Sequence, residues 1–196
     1  ESQPAAAGAF GRHIAHDGAK DLIRKELEGH FAGLDKFPKA LSLNSNQDLI
    51  CANDQGWRKV LHFYSDNNSC LRKAVWQEMP LPCVPFGEDQ LWAEAIIRRG
   101  YAKVYAKDAV VKHSHHYSPT EVYERSQIEA EFFHTCFGHT MHNSRLAMDV
   151  AISADCRASS AESTKNSGTS SFDDLNHQYL SIFAKHSGWM NHSKQR

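Results

Sequence analysis

Apolar positions along this chain recur with two different periods, and runs of the two kinds alternate. Residues 1–12 are small and apolar, and residues 12–18 read as a loop. In "AKDLIRKELEGHFAGL", Leu22, Ile23, Leu27, Phe31 and Leu34 form a stripe at helical spacing. Asp17 or Asp21 is the candidate cap of that helix, and Gly33 its candidate terminator. Residues 35–56 are polar and rich in Asn, which predicts a loop with room for one short element. Val60 to Tyr64 reads as a strand, followed by a turn over residues 65–68. A helix is predicted from a Ser69 cap through Leu71, Val75 and Trp76.

The second half is more strongly punctuated. "PLPCVPFGED" places three prolines in its first six residues, so it must be an irregular connection. The helix "EDQLWAEAIIRRG" follows, with Leu91, Trp92, Ala95 and Ile96 predicted inward and Gly100 at its C-cap. Two β-rich runs, 103–105 and 109–112, come next. Ser118, Pro119 and Glu121 then give a capping box with proline in the first turn, and the helix they open is expected to continue through His142 to Ile152. Residues 153–171 are rich in Ser, Thr, Asn and Gly and predict a linker or mobile loop. Leu175, Tyr179, Ile182 and Phe183 restore helical spacing near the end. The expected fold class is α/β, with a helical C-terminal extension.

Composition removes several functional classes. The 196 residues carry a formal net charge of −1, so no bulk electrostatic case exists for nucleic acid or an anionic membrane. No apolar run approaches the ~20 residues needed to span a bilayer. The first ten residues lack a basic stretch followed by an apolar core, so no secretory signal is expected there. Five cysteines, without a C-x-x-C pair, predict reduced thiols in a cytoplasmic protein.

Candidate chemistry concentrates in "PFGEDQLWAEAIIRRGYAKVYAKDAVVKHSHHYSP", residues 85–119. Glu88 and Asp89 open a helix after a Pro/Gly-rich loop. Acidic residues there cap backbone N–H groups and complement the helix dipole, at about 0.3–1 kcal/mol each. The same position also suits a general base, because a carboxylate on the first turn of a rigid helix can be aimed into a cleft. His113, His115 and His116 follow a strand-like run. In extended backbone His113 and His115 share a face, and histidines at a strand end are frequent ligands for divalent ions. Their plain alternative is a polar strand end. One helix, a turn and a strand join the two features, a unit that brings both to one edge of a sheet, where ligands bind in open α/β folds.

Taken in order, these motifs resemble the C-terminal half of bacterial family-two glycosyltransferases, the inverting enzymes of the GT-A (Rossmann-like) fold. The rhamnosyltransferase-like branch that builds O-antigen and other cell-surface polysaccharides is the most similar. The resemblance rests on the Asn-Ser-x-x-x-Arg/Lys run, the tryptophan-containing helix, "PFGEDQ", the Gly-Tyr strand entry, His-Ser-His and the following Tyr-Ser-Pro. It covers residues 57–130 specifically and "AGAFGRHI" to "GHF" more loosely. It implies Asp89 as the base that deprotonates an acceptor hydroxyl, with Glu88 as its supporting neighbour. His113 would complete a metal–diphosphate site, with His115 as second candidate. Asn67, Asn68 and Arg72 would line the cleft. Trp92 would pack beneath it, or stack on a sugar if exposed.

The resemblance further implies a nucleotide-diphosphate sugar donor, with rhamnose the sugar of the most similar branch. It implies a saccharide or lipid-linked saccharide acceptor and a divalent cation, Mn²⁺ or Mg²⁺. Residues 1–150 would be the acceptor and metal half of the domain, 151–171 a linker and 172–196 an extension. Location would be cytoplasmic, with peripheral contact at the inner face of the membrane through 172–196. The family's Asp-x-Asp motif does not occur in this sequence. The chain is therefore expected to be a C-terminal portion of a longer enzyme, and inactive alone. Two other readings compete. One is a non-catalytic metal- or carbohydrate-binding module, for which His134, Cys136, His139 and His142 offer a zinc set, with His139 and His142 one helical turn apart. The other is an interaction protein whose segment 172–196 docks on a partner.

Overall fold

The computed structural model describes residues 5–43 and 55–139. The chain divides into two compact units, with the boundary between His115 and His116. In the first unit a four-stranded mixed sheet has the order β2-β4-β1-β3. Strand β1 (Ala6–Ile14) runs parallel to β4 (Ala102–Lys112), while β3 (Ser69–Leu71) lies antiparallel to β1 and β2 (Ala40–Leu41) antiparallel to β4. Helices α1 (Asp21–Leu34), α2 (Gln55–His62), α3 (Lys73–Glu78) and α4 (Glu88–Arg98) complete this unit. α1 packs on β1, α4 on β4, and α2 against α4. The core gathers Phe10, Phe31, Leu61, Tyr64, Trp92, Ile96, Ile97 and Tyr105. The mixed α/β class read from the sequence is the class observed.

Strand β1 takes in both the small apolar run and residues 12–14 of the expected loop, although alanine and glycine have low strand propensity. Packing explains their presence in a central strand. A side-chain carbon at Gly8 would lie 2.6 Å from the Tyr64 hydroxyl and 3.1 Å from Trp92. Nothing larger than hydrogen fits between the strand and those two rings.

Two further elements exchange type relative to expectation. Residues 55–62 form helix α2 rather than a strand reaching from Val60, since a short apolar run does not by itself fix its period. Residues 69–71 form β3 rather than the start of a helix, because β1 offers an open edge. Cys70 pairs with Ala9, and the Arg72 N–H donates to the Ala7 carbonyl at 2.7 Å. The helix that follows is the short α3, with Arg72 at its N-cap.

Cap assignments are corrected in α1. Lys20 occupies the N-cap, Asp21 lies in the first turn, and Gly33 falls inside the helix, which ends at Leu34. Asp17 instead pairs with Lys112 at the end of β4, at 2.7 Å. Helix α4 runs from a left-handed Gly87 to Arg98, with Gly100 also left-handed beyond it. Its buried face is Trp92, Ala93, Ile96 and Ile97, one position round from the expected one, and Ala95 is exposed.

The two β-rich runs predicted in residues 103–112 are the halves of one strand, separated by a bulge. Gly11 pairs with Ala106, but Arg12 pairs with Val110, so residues 107–109 are looped out of the ladder. The Asn68 side chain fills the resulting gap. Its Nδ2 donates to the Ala109 carbonyl at 2.9 Å and to the Arg12 carbonyl at 3.3 Å.

In the second unit, α5 (Pro119–Phe137) begins as predicted. The Ser118 hydroxyl accepts from the Glu121 N–H, and the Glu121 carboxylate accepts from the Ser118 N–H. The helix stops at Phe137, where Gly138 turns left-handed at φ 66°, earlier than the expected Ile152. His139 therefore lies beyond the end of this helix. His142, the 153–171 segment and the 172–196 extension lie outside the described residues.

Gly11→Ala tests the bulge. Its added carbon would sit 2.1 Å from the Ala109 carbonyl oxygen and 2.3 Å from Asn68 Nδ2. Backbone cannot give way as a flexible side chain can, so we expect a loss of about 1–3 kcal/mol or more in denaturant unfolding. Wild-type stability in this variant would mean that Asn68 does not hold the strands together.

Candidate active site

The turn between α2 and β3 is where the predicted site residues converge. Asp66, Asn67 and Asn68 form one turn of 3-10 helix. Its upstream neighbour Ser65 is buried, and Ser65 Oγ lies 3.2 Å from His13 Nε2. Asp66 lies near enough to Asp89 for its charge to raise the proton affinity of the Asp89 carboxylate. The four-residue stretch 65–68 thus meets the histidine strand end through Ser65 and acts on the acidic helix start through the charge of Asp66.

Asp89 sits on the first turn of α4. Its Oδ1 accepts from the Gln90 N–H at 2.7 Å, so it helps cap its own helix. Burial nevertheless pushes its carboxyl up to about 6, and the neighbouring charges of Asp66 and Glu88 act in the same direction against the Gln90 N–H donor. Capping and a raised proton affinity coexist in this one carboxylate. Glu88 is the first residue of α4 and is half-buried.

At the strand ends, the parallel pairing of β1 with β4 sets His13 beside His113, with ring centroids 5.0 Å apart. His113 and His115 do share a face, and their Nε2 atoms are 3.1 Å apart. Burial lowers the proton affinity of His13, and the nearby His113 and His30 lower it further, against a smaller opposing pull from Asp66. Both effects favour the neutral form of the His13 ring.

The other predicted residues take different parts. Asn67 is exposed on the turn. Asn68 commits its amide nitrogen to two backbone carbonyls, so that nitrogen serves the fold. Arg72 is exposed, and its Nε donates to the Ala6 carbonyl at 2.8 Å. Trp92 is 1% exposed and donates through Nε1 to the Met79 carbonyl at 2.7 Å. It cannot stack on a sugar, because both of its faces are inside the core. Here the substrate-contact reading of Trp92 is corrected, and packing is its observed part.

Sequence reasoning missed His13, Asp66 and Lys103. His13 ends a small apolar run, and recognising that run as a strand parallel to β4 would have brought it to His113. Asp66 acts on Asp89 through its charge, a nearness that no local motif announces. Lys103 lies inside a β-rich run, where a lysine ordinarily signals a solvent-facing position.

Metal fit is partial. Two imidazole nitrogens 3.1 Å apart have the separation of neighbouring ligands on one ion, given metal–nitrogen bonds of about 2.0–2.1 Å. Among the described residues, however, no group of three or more His, Cys, Asp or Glu could hold a metal ion. For the zinc alternative, the His134 Nδ1 lies 3.3 Å from the His139 carbonyl oxygen, a contact to backbone rather than to a shared ion. Cys70, Cys83 and Cys136 are exposed and form no disulfide among the described residues.

This chain is similar to a rhamnosyltransferase. The O-antigen chain rhamnosyltransferase RfbN of Salmonella typhimurium is 29% identical to it over 138 residues, which is 69% of this chain and 40% of that protein. The chain thus spans about two fifths of the length of the curated relative it matches. No family model matches the chain. No solved structure matches it either. Among the described residues no helix is long and apolar enough to cross a membrane.

The electrostatics of Asp89 give a signed prediction. A carboxyl whose proton affinity is raised on folding stabilises the fold most below its unfolded pKa of 3.8, and that contribution is lost as pH rises through about 6. Asp89→Asn removes the buried charge. Discounted for partial exposure, it should stabilise the chain by about 1–2 kcal/mol at pH 8, and the gain should vanish near pH 4. Denaturant midpoints at the two pH values test this; equal effects at both would mean that Asp89 titrates normally.

Proposed function

We propose that this chain is the acceptor-side portion of an inverting glycosyltransferase of the GT-A type, with Asp89 as its general base. The observation that carries the reading is the state of Asp89. A carboxylate fixed on a helix start, held by the Gln90 N–H group and pushed up to about 6, is poised to take a proton near neutral pH. Similarity to a named rhamnosyltransferase supports a sugar-transfer role over a passive binding module.

In this mechanism an acceptor hydroxyl hydrogen-bonds to Asp89. As its oxygen forms a bond to the anomeric carbon of a nucleotide-diphosphate sugar, Asp89 takes the proton. The bond from that carbon to the diphosphate oxygen breaks on the opposite face, and the electron pair leaves with the nucleoside diphosphate. One base is sufficient and no protein nucleophile is needed, so inversion follows. Glu88 raises the proton affinity of Asp89 through its charge. His113 and His115 would hold a divalent cation, Mn²⁺ or Mg²⁺, which when bound supplies positive charge beside the diphosphate. Two imidazoles do not complete a coordination sphere, so oxygen donors from the diphosphate or from elsewhere in the protein must supply the remainder. Rhamnose is the sugar we assign, on the name of the relative, with an O-antigen-type saccharide as acceptor.

Two measurements test this reading on the natural protein that carries the chain. Asp89→Asn should lower transfer from a nucleotide-diphosphate rhamnose by about 10²–10⁴-fold while leaving donor affinity within about twofold. Turnover close to wild type would remove Asp89 from the chemistry. Separately, adding Mn²⁺ with a nucleoside diphosphate should broaden the ring-proton resonances of His113 and His115. Sharp, unshifted imidazole signals at saturating ion would end their assignment as ligands.

A further inference from the structure

The two central strands part from each other through a side chain. Beyond their last paired residues, Ile14 of β1 and Lys112 of β4, the ladder continues by one bond, from the His113 N–H to the Ile14 carbonyl at 2.9 Å. In a regular parallel pair the next bond would run from the His16 N–H to the His113 carbonyl. Here the His16 N–H donates instead to Ser114 Oγ, at 3.1 Å. A hydroxyl thus takes the donor that backbone would have taken, and β4 ends at Lys112. The Lys112 ammonium reaches both oxygens of Asp17, at 2.7 and 2.8 Å. Residues 112, 113 and 114 are therefore each tied to the end of β1 or to the chain just beyond it.

Ser114 stands between the two histidines of the candidate site, and their spacing is not that of a strand. Successive residues on one face of a regular strand stand about 6.6 Å apart. The His113 and His115 rings are closer, with centroids at 4.6 Å, planes near perpendicular and Nε2 atoms 3.1 Å apart. Chain held in a ladder keeps its rise, whereas chain that has left it can be drawn together. His113 is fixed by the Ile14 carbonyl and lies against the His13 ring, 5.0 Å away. His115 is exposed, so it is the member whose place depends on how the chain turns at Ser114. The Lys112–Asp17 pair lies at the surface, with side chains 50% and 87% exposed, and adds little to this geometry.

We infer that Ser114 is a positioning residue for the imidazole pair: by taking the His16 N–H it ends the ladder, and so brings the His115 ring against His113 with both Nε2 atoms together. This rests on the reading of the pair as ligands for a divalent cation, which needs the two nitrogens offered side by side. Groups that orient metal-binding histidines typically matter 10–100-fold in affinity. A serine that merely satisfied an exposed backbone amide would act differently. Its loss would cost a little stability and leave the spacing of the two rings unchanged.

The test is a set of imidazole ring-proton cross-peaks in the natural protein that carries the chain, metal-free, and in its Ser114→Ala and Ser114→Thr variants. In the parent a His113–His115 cross-peak should stand beside a His13–His113 cross-peak. Such intensities fall with the sixth power of distance. Relaxation of the pair to regular strand spacing in Ser114→Ala should therefore weaken the first about fivefold or more against the second. Ser114→Thr keeps the hydroxyl and should restore the parent ratio. An unchanged ratio in Ser114→Ala overturns the proposal, whatever happens to stability. If Ser114→Ala does not fold, the parent decides alone. Its His16 amide proton must show a cross-peak to the Ser114 β-protons, and the absence of that peak overturns the proposal. Mn²⁺ titrated in with a nucleoside diphosphate should bind Ser114→Ala about tenfold more weakly than the parent, and equal affinity overturns the proposal as well. A parent that binds no Mn²⁺ sinks the ligand reading instead, and the cross-peak ratio still decides whether Ser114 sets the pair.

Discussion

Asn68 occupies the space that a side chain at position 11 would need, and from there its amide donates to the carbonyls of Arg12 and Ala109. Much of the first unit depends on this contact. It fills the gap left where β4 leaves register with β1, and it fixes the downstream end of the turn that touches both halves of the candidate site. Parallel strands need their carboxyl ends held level to present a ligand edge. The strand pair achieves that with a glycine on one side and a side-chain amide from a third element on the other.

Polar groups in this unit are placed where backbone would otherwise go unpaired. Lys103 supplies donors at the end of α2, Asn68 at the bulge, and the Trp92 indole at Met79, just past α3. Each is a side chain acting on main chain across a long sequence separation. Such bonds are worth more for specifying one arrangement than for net stability, because each exchanges water for protein at a modest gain. A carboxylate with an unusual proton affinity needs that specificity. Its charge state is set by neighbours whose positions must not drift.

The sequence was informative where a signal is local. The Ser118–Pro119–Glu121 start of α5, the proline-rich connection before α4 and the acidic start of α4 were all legible, because caps and prolines act within a few residues. It misled where packing overrides local preference. The small residues of β1 make room for Tyr64 and Trp92, which lie 56 and 84 positions beyond Gly8 along the chain. Ser69–Leu71 became a strand because an edge of β1 was open to it. Within the site, Asp89 and the two histidines were visible as residue types. The nearness of Asp66 to Asp89, the His13 ring beside His113 and the buried Lys103 were not, since each acquires its meaning only from which strands and turns lie side by side. Asn68 shows the opposite error, a polar residue in a motif whose amide nitrogen turns inward to the backbone.

The looped-out residues 107–109 also act as a length gauge. Strand β1 ends at Ile14, and the His113 N–H donates to the Ile14 carbonyl at 2.9 Å, so the first histidine stands level with the end of its neighbour. Were β4 regular, those three residues would add about 10 Å of extended chain, and His113 would overshoot β1 into solvent. The slack absorbed in mid-strand is what delivers the imidazoles to the sheet edge. A deletion or insertion of a single residue in that loop would leave the fold's hydrophobic centre untouched and still retune the reach of the histidines.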